Sequence, residues 1–171
     1  RLVPAERWTR SLPVTQLYAR SFVPALRASA PDAVHVHDVH LLDAVAQAFP
    51  HRATRPAVVY DAHEYIPGLA YVPARMVGGY CDLETEFIGD VDRIVTVSEP
   101  LADLLVADHC PAERPLVVLN APTIAEPPEG FQTLRELVGL DPDVPLMVYG
   151  GGVNTARGVH TAVNALPDLP D

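Results

Sequence analysis

The chain has 171 residues, 49% of them hydrophobic, which suits one full domain or one domain plus part of another. A formal charge of -10, with 22 acidic residues against 12 basic ones and no Lys, excludes the broad basic footprint of a nucleic-acid binder. No apolar run approaches the ~20 residues of a membrane span, and no secretory pattern follows Arg1.

In chain order, Leu12 to Ser29 has helical spacing at Leu17, Phe22, Val23 and Leu26, with Pro24 expected to kink or break it. Val34–His37 is the first short β-branched run, and His40 to Phe49 follows as a helix with Leu41, Val45 and Ala48 on one face. Ala57–Tyr60 is the second run, closed by Asp61-Ala62-His63-Glu64, and Arg93–Ser98 is the third. Ser98-Glu99-Pro100 supplies an N-cap and an early proline for the next helix. Leu116–Asn120 is the fourth run. Ala121–Gly130 is rich in proline and acids and reads as an interdomain linker, separating residues 1–120 from 131–171. A short helix over Phe131–Val138, a fifth strand over Pro145–Tyr149 and a helix from about Arg157 to Leu166 complete the pattern. Strands alternating with helices predict an α/β fold with a Rossmann-like parallel sheet and flanking helices. The last β-α unit has no further strand to pair with, so a partner chain, a second copy or further residues are expected to complete its sheet.

In open α/β sheets ligands bind beyond the carboxyl ends of the strands. His37, Asp38, Asp61, His63, Glu64, Ser98, Glu99 and Asn120 all fall at or just after such ends, which packing alone explains poorly. His35 and His37 share one strand face. A His-x-His pair on a strand is one way to seat a metal ion, so a metal-dependent hydrolase built on His35, His37 and Asp38 is an alternative reading. Against it, the aspartate comes one position early for the His-x-His-x-Asp-His pattern, and a third strong ligand is not evident. The bland readings make His35 a core or helix-contact histidine, His40 a first-turn residue, Asp38 a helix cap and Asp61 a turn residue. His63 follows an apolar strand directly into the expected crevice and is the stronger functional candidate. Farther on, Gly150-Gly151-Gly152 followed by Arg157 suits close approach of backbone to an anion, with the helix N-terminus and Arg157 contributing charge. A sugar-phosphate binding module without catalysis is the non-enzymatic alternative. Cys81 and Cys110 lie far apart with no CxxC spacing and read as free thiols in a reducing compartment, so a cytoplasmic location, peripheral to a membrane at most, is expected.

Taken in order, PDAVHVHD, the DAHE strand end, DRIVTVSEPLADLL, VVLNAP and the GGG...RG segment resemble GT-B glycosyltransferases of family 4, over about Ala30 to Leu166. The resemblance implies two Rossmann-like domains facing across a cleft, and retaining transfer of a sugar from a nucleoside-diphosphate donor to a carbohydrate, lipid or small-molecule acceptor, with no required cofactor or metal. It implies that His63 approaches the donor sugar, that Gly150 to Gly152 and Arg157 hold donor phosphate, and that Ser98 and Asn120 shape the cleft and hinge. Departures are Gly151 where family members often carry Arg, Arg157 where Lys is common, and Ala-Pro after Asn120. The N-domain's glycine-rich first loop and the later Glu-x7-Glu segment are not found. The resemblance therefore implies a partial GT-B architecture: the second half of the acceptor-side domain plus the start of the donor domain, inactive by itself.

Overall fold

The computed structural model of the protein describes residues 12–169. They divide into two compact units that meet in sequence between Ala121 and Pro122. The first unit contains α1 (Pro13–Ser29), β1 (Ala33–His37), α2 (Leu42–Ala48), β2 (Ala57–Ala62), α3 (Ala74–Phe87), β3 (Arg93–Thr96), α4 (Glu99–His109) and β4 (Leu116–Val117). Its sheet is four-stranded, parallel throughout, in the order β1-β2-β3-β4. This is the α/β, Rossmann-like arrangement expected from alternating strand and helix patterns.

The order of the strands explains where the core lies. Crossovers between parallel strands are almost always right-handed. When each new strand is added on the same side of the last, crossovers of one hand put their helices on one face. Residues alternate between faces along each strand, and register aligns Val36 with Tyr60, Tyr60 with Ile94 and Ala62 with Thr96. Val36, Val58, Tyr60, Ala62 and Ile94 are buried together with Leu42, Val45, Leu83, Leu101 and Leu105 from the helices. The opposite face holds His35, His37 and Arg93, all exposed, with Val59 and Val95 half-buried. Among the described residues that face has no matching apolar layer. Runs that read as strands buried on both sides are covered on one.

Several local expectations are refined by the structure. Pro24 neither breaks nor ends α1. The bond it cannot donate would have gone to the carbonyl of Arg20, and both residues are exposed, where water satisfies that oxygen. The buried residues of α1 are Thr15 and Ala19, whereas Leu17 and Phe22 are exposed, because small side chains allow close approach to α2. Arg27 from α1 donates to the carbonyls of Gln47 and Ala48, capping the last turn of α2. Ser98 caps α4 as expected, its hydroxyl accepting from the Leu101 N–H at 3.4 Å. Helix α3 was not anticipated, since Gly78 and Gly79 interrupt its pattern and no side chain caps its start.

At the amino ends of β2 and β3, Arg55 forms a two-pronged pair with Asp92, at 2.6 and 3.1 Å. Asp92 also accepts from the Val58 N–H at 2.7 Å. The Arg55 guanidinium and this N–H hold the Asp92 carboxyl below the usual carboxylate range. That is strand-joining chemistry at the end of the sheet away from the expected crevice.

The second unit holds two short helices, α5 (Leu134–Val138) and α6 (Val159–Ala165). A capping box between Thr133 and Glu136 starts α5 three residues later than the apolar pattern suggested. Pro145–Tyr149 is not a strand among the described residues, a correction with a plain cause. A parallel strand exists only by hydrogen-bonding to a neighbour, and none is present among this unit's described residues. Fittingly, none of the unit's described residues is buried.

Candidate functional site

Strand β1 ends at His37 and β2 carries Asp61 directly beside it in register. Paired residues of parallel strands project to the same face, so His35, His37 and Asp61 meet on the open side of the sheet. His35 Nε2 lies 3.1 Å from Asp61 Oδ2 and His37 Nδ1 lies 3.4 Å from the same oxygen. His63, two residues on from Asp61, brings its Nε2 to 3.5 Å from Oδ2 and 3.1 Å from His37 Nδ1. The rings of His35 and His37 stack with centroids 4.4 Å apart. The Asp61 side chain is 12% exposed, against 50% for His35 and 59% for His37. His35 is thus not a core histidine: it is half-exposed and bound to an aspartate. The third member of the cluster is Asp61, from the next strand, not Asp38 from the same one.

Asp38 turns the other way. Its backbone sits at φ 64, ψ 157, a conformation that almost only glycine adopts without strain. Its N–H donates to the Asp61 carbonyl at 3.1 Å, extending the β1–β2 pairing through the bend. It makes no side-chain cap to the following turn, correcting the capping expectation. The bend leads into a single turn over Val39–Leu41, where His40 lies edge-on to the Tyr80 ring at 4.7 Å. Replacing Asp38 by glycine should relieve strain of about 1–3 kcal/mol. Urea unfolding of Asp38→Gly is therefore expected to show a higher midpoint, whereas an unchanged or lower one would mean the bend stores no strain.

Behind the bend lies a cleft of about 330 Å3, lined by Asp38, His40, Tyr60, His63, Glu64 and Tyr71 among others. It is near the small end of ligand pockets, which run from about 300 Å3 upward. Tyr71 donates to Glu64 at 2.6 Å, fixing one wall. His63 belongs to both features, facing the cleft and touching the His35–His37–Asp61 cluster.

Of the residues singled out by sequence, Asp38, His63 and Glu64 come together in the cleft, and His37 and Asp61 in the cluster beside it. Ser98, Glu99 and Asn120 follow β3 and β4 at the same sheet edge but do not line that cleft. Ser98 is occupied as a cap, Glu99 pairs with Arg114 at 2.7 Å, and Asn120 is exposed beyond the end of β4. The Gly150–Gly152 segment is closed by Tyr149, whose hydroxyl donates to the Gly152 carbonyl at 3.0 Å. Arg157 ends a turn over Thr155–Arg157 instead of opening the helix. Gly158, at φ +68, breaks the helical path, and α6 begins one residue later. Tyr71 is the cleft residue that sequence reasoning missed, and its loop position offered no pattern to find it.

A family model for Glycosyltransferase Family 4 matches residues 2–122, well over half of the chain. Searches of curated proteins and of solved structures returned no match. With the parallel sheet, the polar carboxyl edge and this match together, the chain belongs to glycosyltransferase family 4.

Proposed function

We propose that this chain is part of a GT-B enzyme that moves a sugar from a nucleoside-diphosphate donor to an acceptor with retention of anomeric configuration. The family match supports glycosyl transfer, and one observation carries the residue assignment. His63 follows the carboxyl end of β2 and lines the cleft together with Asp38 and Glu64. There its imidazole faces the donor sugar, while Asp38 and Glu64 supply acceptors for sugar hydroxyls. In this reading the first unit is the acceptor-side domain and the second begins the donor domain. Gly150 to Gly152 let backbone approach the donor diphosphate, and Arg157 offsets charge on the leaving phosphate, the main electrostatic task of the reaction. Ser98 and Asn120 shape the rim. No helix among the described residues is long and apolar enough to cross a membrane. A cytoplasmic enzyme drawing on nucleotide-sugar pools, at most peripheral to a membrane, fits that reading.

Product stereochemistry in the full-length enzyme is the direct test. Incubated with nucleoside-diphosphate sugars and candidate acceptors, it should give a glycoside whose anomeric proton coupling matches that of the donor. Transfer should persist in the presence of EDTA. Inversion at the anomeric carbon, or water as the sole productive acceptor with strict metal dependence, would overturn the assignment and favour hydrolysis.

A further inference from the structure

We propose that His35, His37 and Asp61 form a three-residue binding site for a divalent transition-metal ion of zinc's class. One ligand atom from each of His35, His37 and Asp61 lies within 4.8 Å of the others. His35 Nε2 and His37 Nδ1 lie 3.1 and 3.4 Å from Asp61 Oδ2. A tetrahedral ion with arms of about 2.0–2.1 Å holds its ligands about 3.3–3.4 Å apart. The two separations from Asp61 Oδ2 match the spacing that such an ion demands.

Asp61 Oδ2 accepts from His35 Nε2 at 3.1 Å, while His37 Nδ1, 3.4 Å from the same oxygen, is hydrogen-bonded to His63 instead. Of His37 Nδ1 and His63 Nε2, 3.1 Å apart, one accepts the other's N–H and so carries a lone pair. A cation bound by His35, His37 and Asp61 would draw one ligand atom from each of them. The donor set of imidazoles and one carboxylate suits zinc, cobalt, nickel or copper over magnesium or calcium, which take all-oxygen sites. Preorganisation comes from the sheet: His35 and His37 are two apart on one strand, and Asp61 is fixed beside His37 by the β1–β2 ladder. Access comes from the open face, where His35 and His37 are each about half exposed. The proposal is independent of the transfer reading, which requires no metal.

Cobalt(II) titration of the protein tests it. One equivalent should bind saturably, with a visible ligand-field spectrum of tetrahedral or five-coordinate type that zinc then displaces. Cys110 is exposed and Cys81 partly so, which makes the near-ultraviolet the discriminating region. A thiolate charge-transfer band there would place the ion on cysteine and overturn the proposal. His35→Ala should weaken cobalt binding at least about tenfold, and zinc should raise the melting temperature of the parent protein but not of this variant. His160→Ala, in the second unit, should change neither. Circular dichroism establishes that each variant is folded. Absence of saturable binding by the parent, or binding unaltered in both His35→Ala and Asp61→Asn, would refute the site.

Discussion

Replacing His63 by alanine in the full-length enzyme is expected to lower turnover for sugar transfer by roughly 10²–10⁴-fold, the range for loss of a positioned polar group acting on the reacting centre. The same substitution at His40 should cost far less. Both residues line the cleft, but His40 is committed to the Tyr80 ring, whereas His63 stands just past the strand end in the cleft that Asp38 and Glu64 also line. A loss concentrated in kcat with little change in KM would mark an interaction made mainly in the transition state. Comparable losses from His40→Ala and His63→Ala would sink the assignment and leave the cleft as a binding surface. The metal proposal is kept apart by His35→Ala, which should disturb cobalt binding while leaving transfer largely intact.

The largest effect on stability is expected at Glu84, which is 2% exposed beneath the sheet. Its Oε1 accepts from Tyr60 at 2.6 Å and its Oε2 bonds to His109 at 3.1 Å, so it links β2, α3 and α4 through one carboxyl group. Burial, together with the adjacent Glu84, pushes the Tyr60 hydroxyl far above its ordinary range, so Tyr60 remains a donor at any working pH. Glu84→Ala orphans that hydroxyl and removes buried volume, and should cost about 3–5 kcal/mol in urea unfolding. Tyr60→Phe, which deletes one arm and keeps the ring, should cost about 1–3 kcal/mol. A loss below about 1 kcal/mol for Glu84→Ala would show that the core does not depend on the linkage.

Neither arm of this triad was legible in the sequence. Tyr60, Glu84 and His109 are about 25 residues apart in turn, and no periodicity joins them. By contrast, the four strands of the first unit and their parallel order followed from short β-branched runs alternating with helical spacing. Their limits were less clear: β4 stops at Val117, although Val118 still donates to Thr96 at 2.8 Å. Helix α3 hid behind two glycines, and the Pro145–Tyr149 run looked like a strand because pattern reports side-chain preference, not the presence of a neighbour. At the site, His63 and Asp38 were visible as polar residues at strand ends. The pairing of His35 with Asp61 was not, because register between strands is a tertiary fact. Once the register is known, a pair of histidines that suggested coordination within one strand becomes a cluster built across two.

The stepwise order of the strands bears also on how the chain reaches its fold. His35–Asp61 and His37–His63 are each separated by 26 residues, Tyr60–Glu84 by 24 and Glu84–His109 by 25. The first two close the β1–β2 crossover, the third joins β2 to the helix that follows it and the fourth joins successive helices, so none has to wait for a distant part of the chain. Loop-closure entropy rises only slowly with length, so each closure costs about the same as the last. Such a sheet can grow in the direction of synthesis, each strand docking on its predecessor as it emerges. Its histidine-bearing edge would take shape after the second strand, well before the carboxyl group that secures the core has arrived.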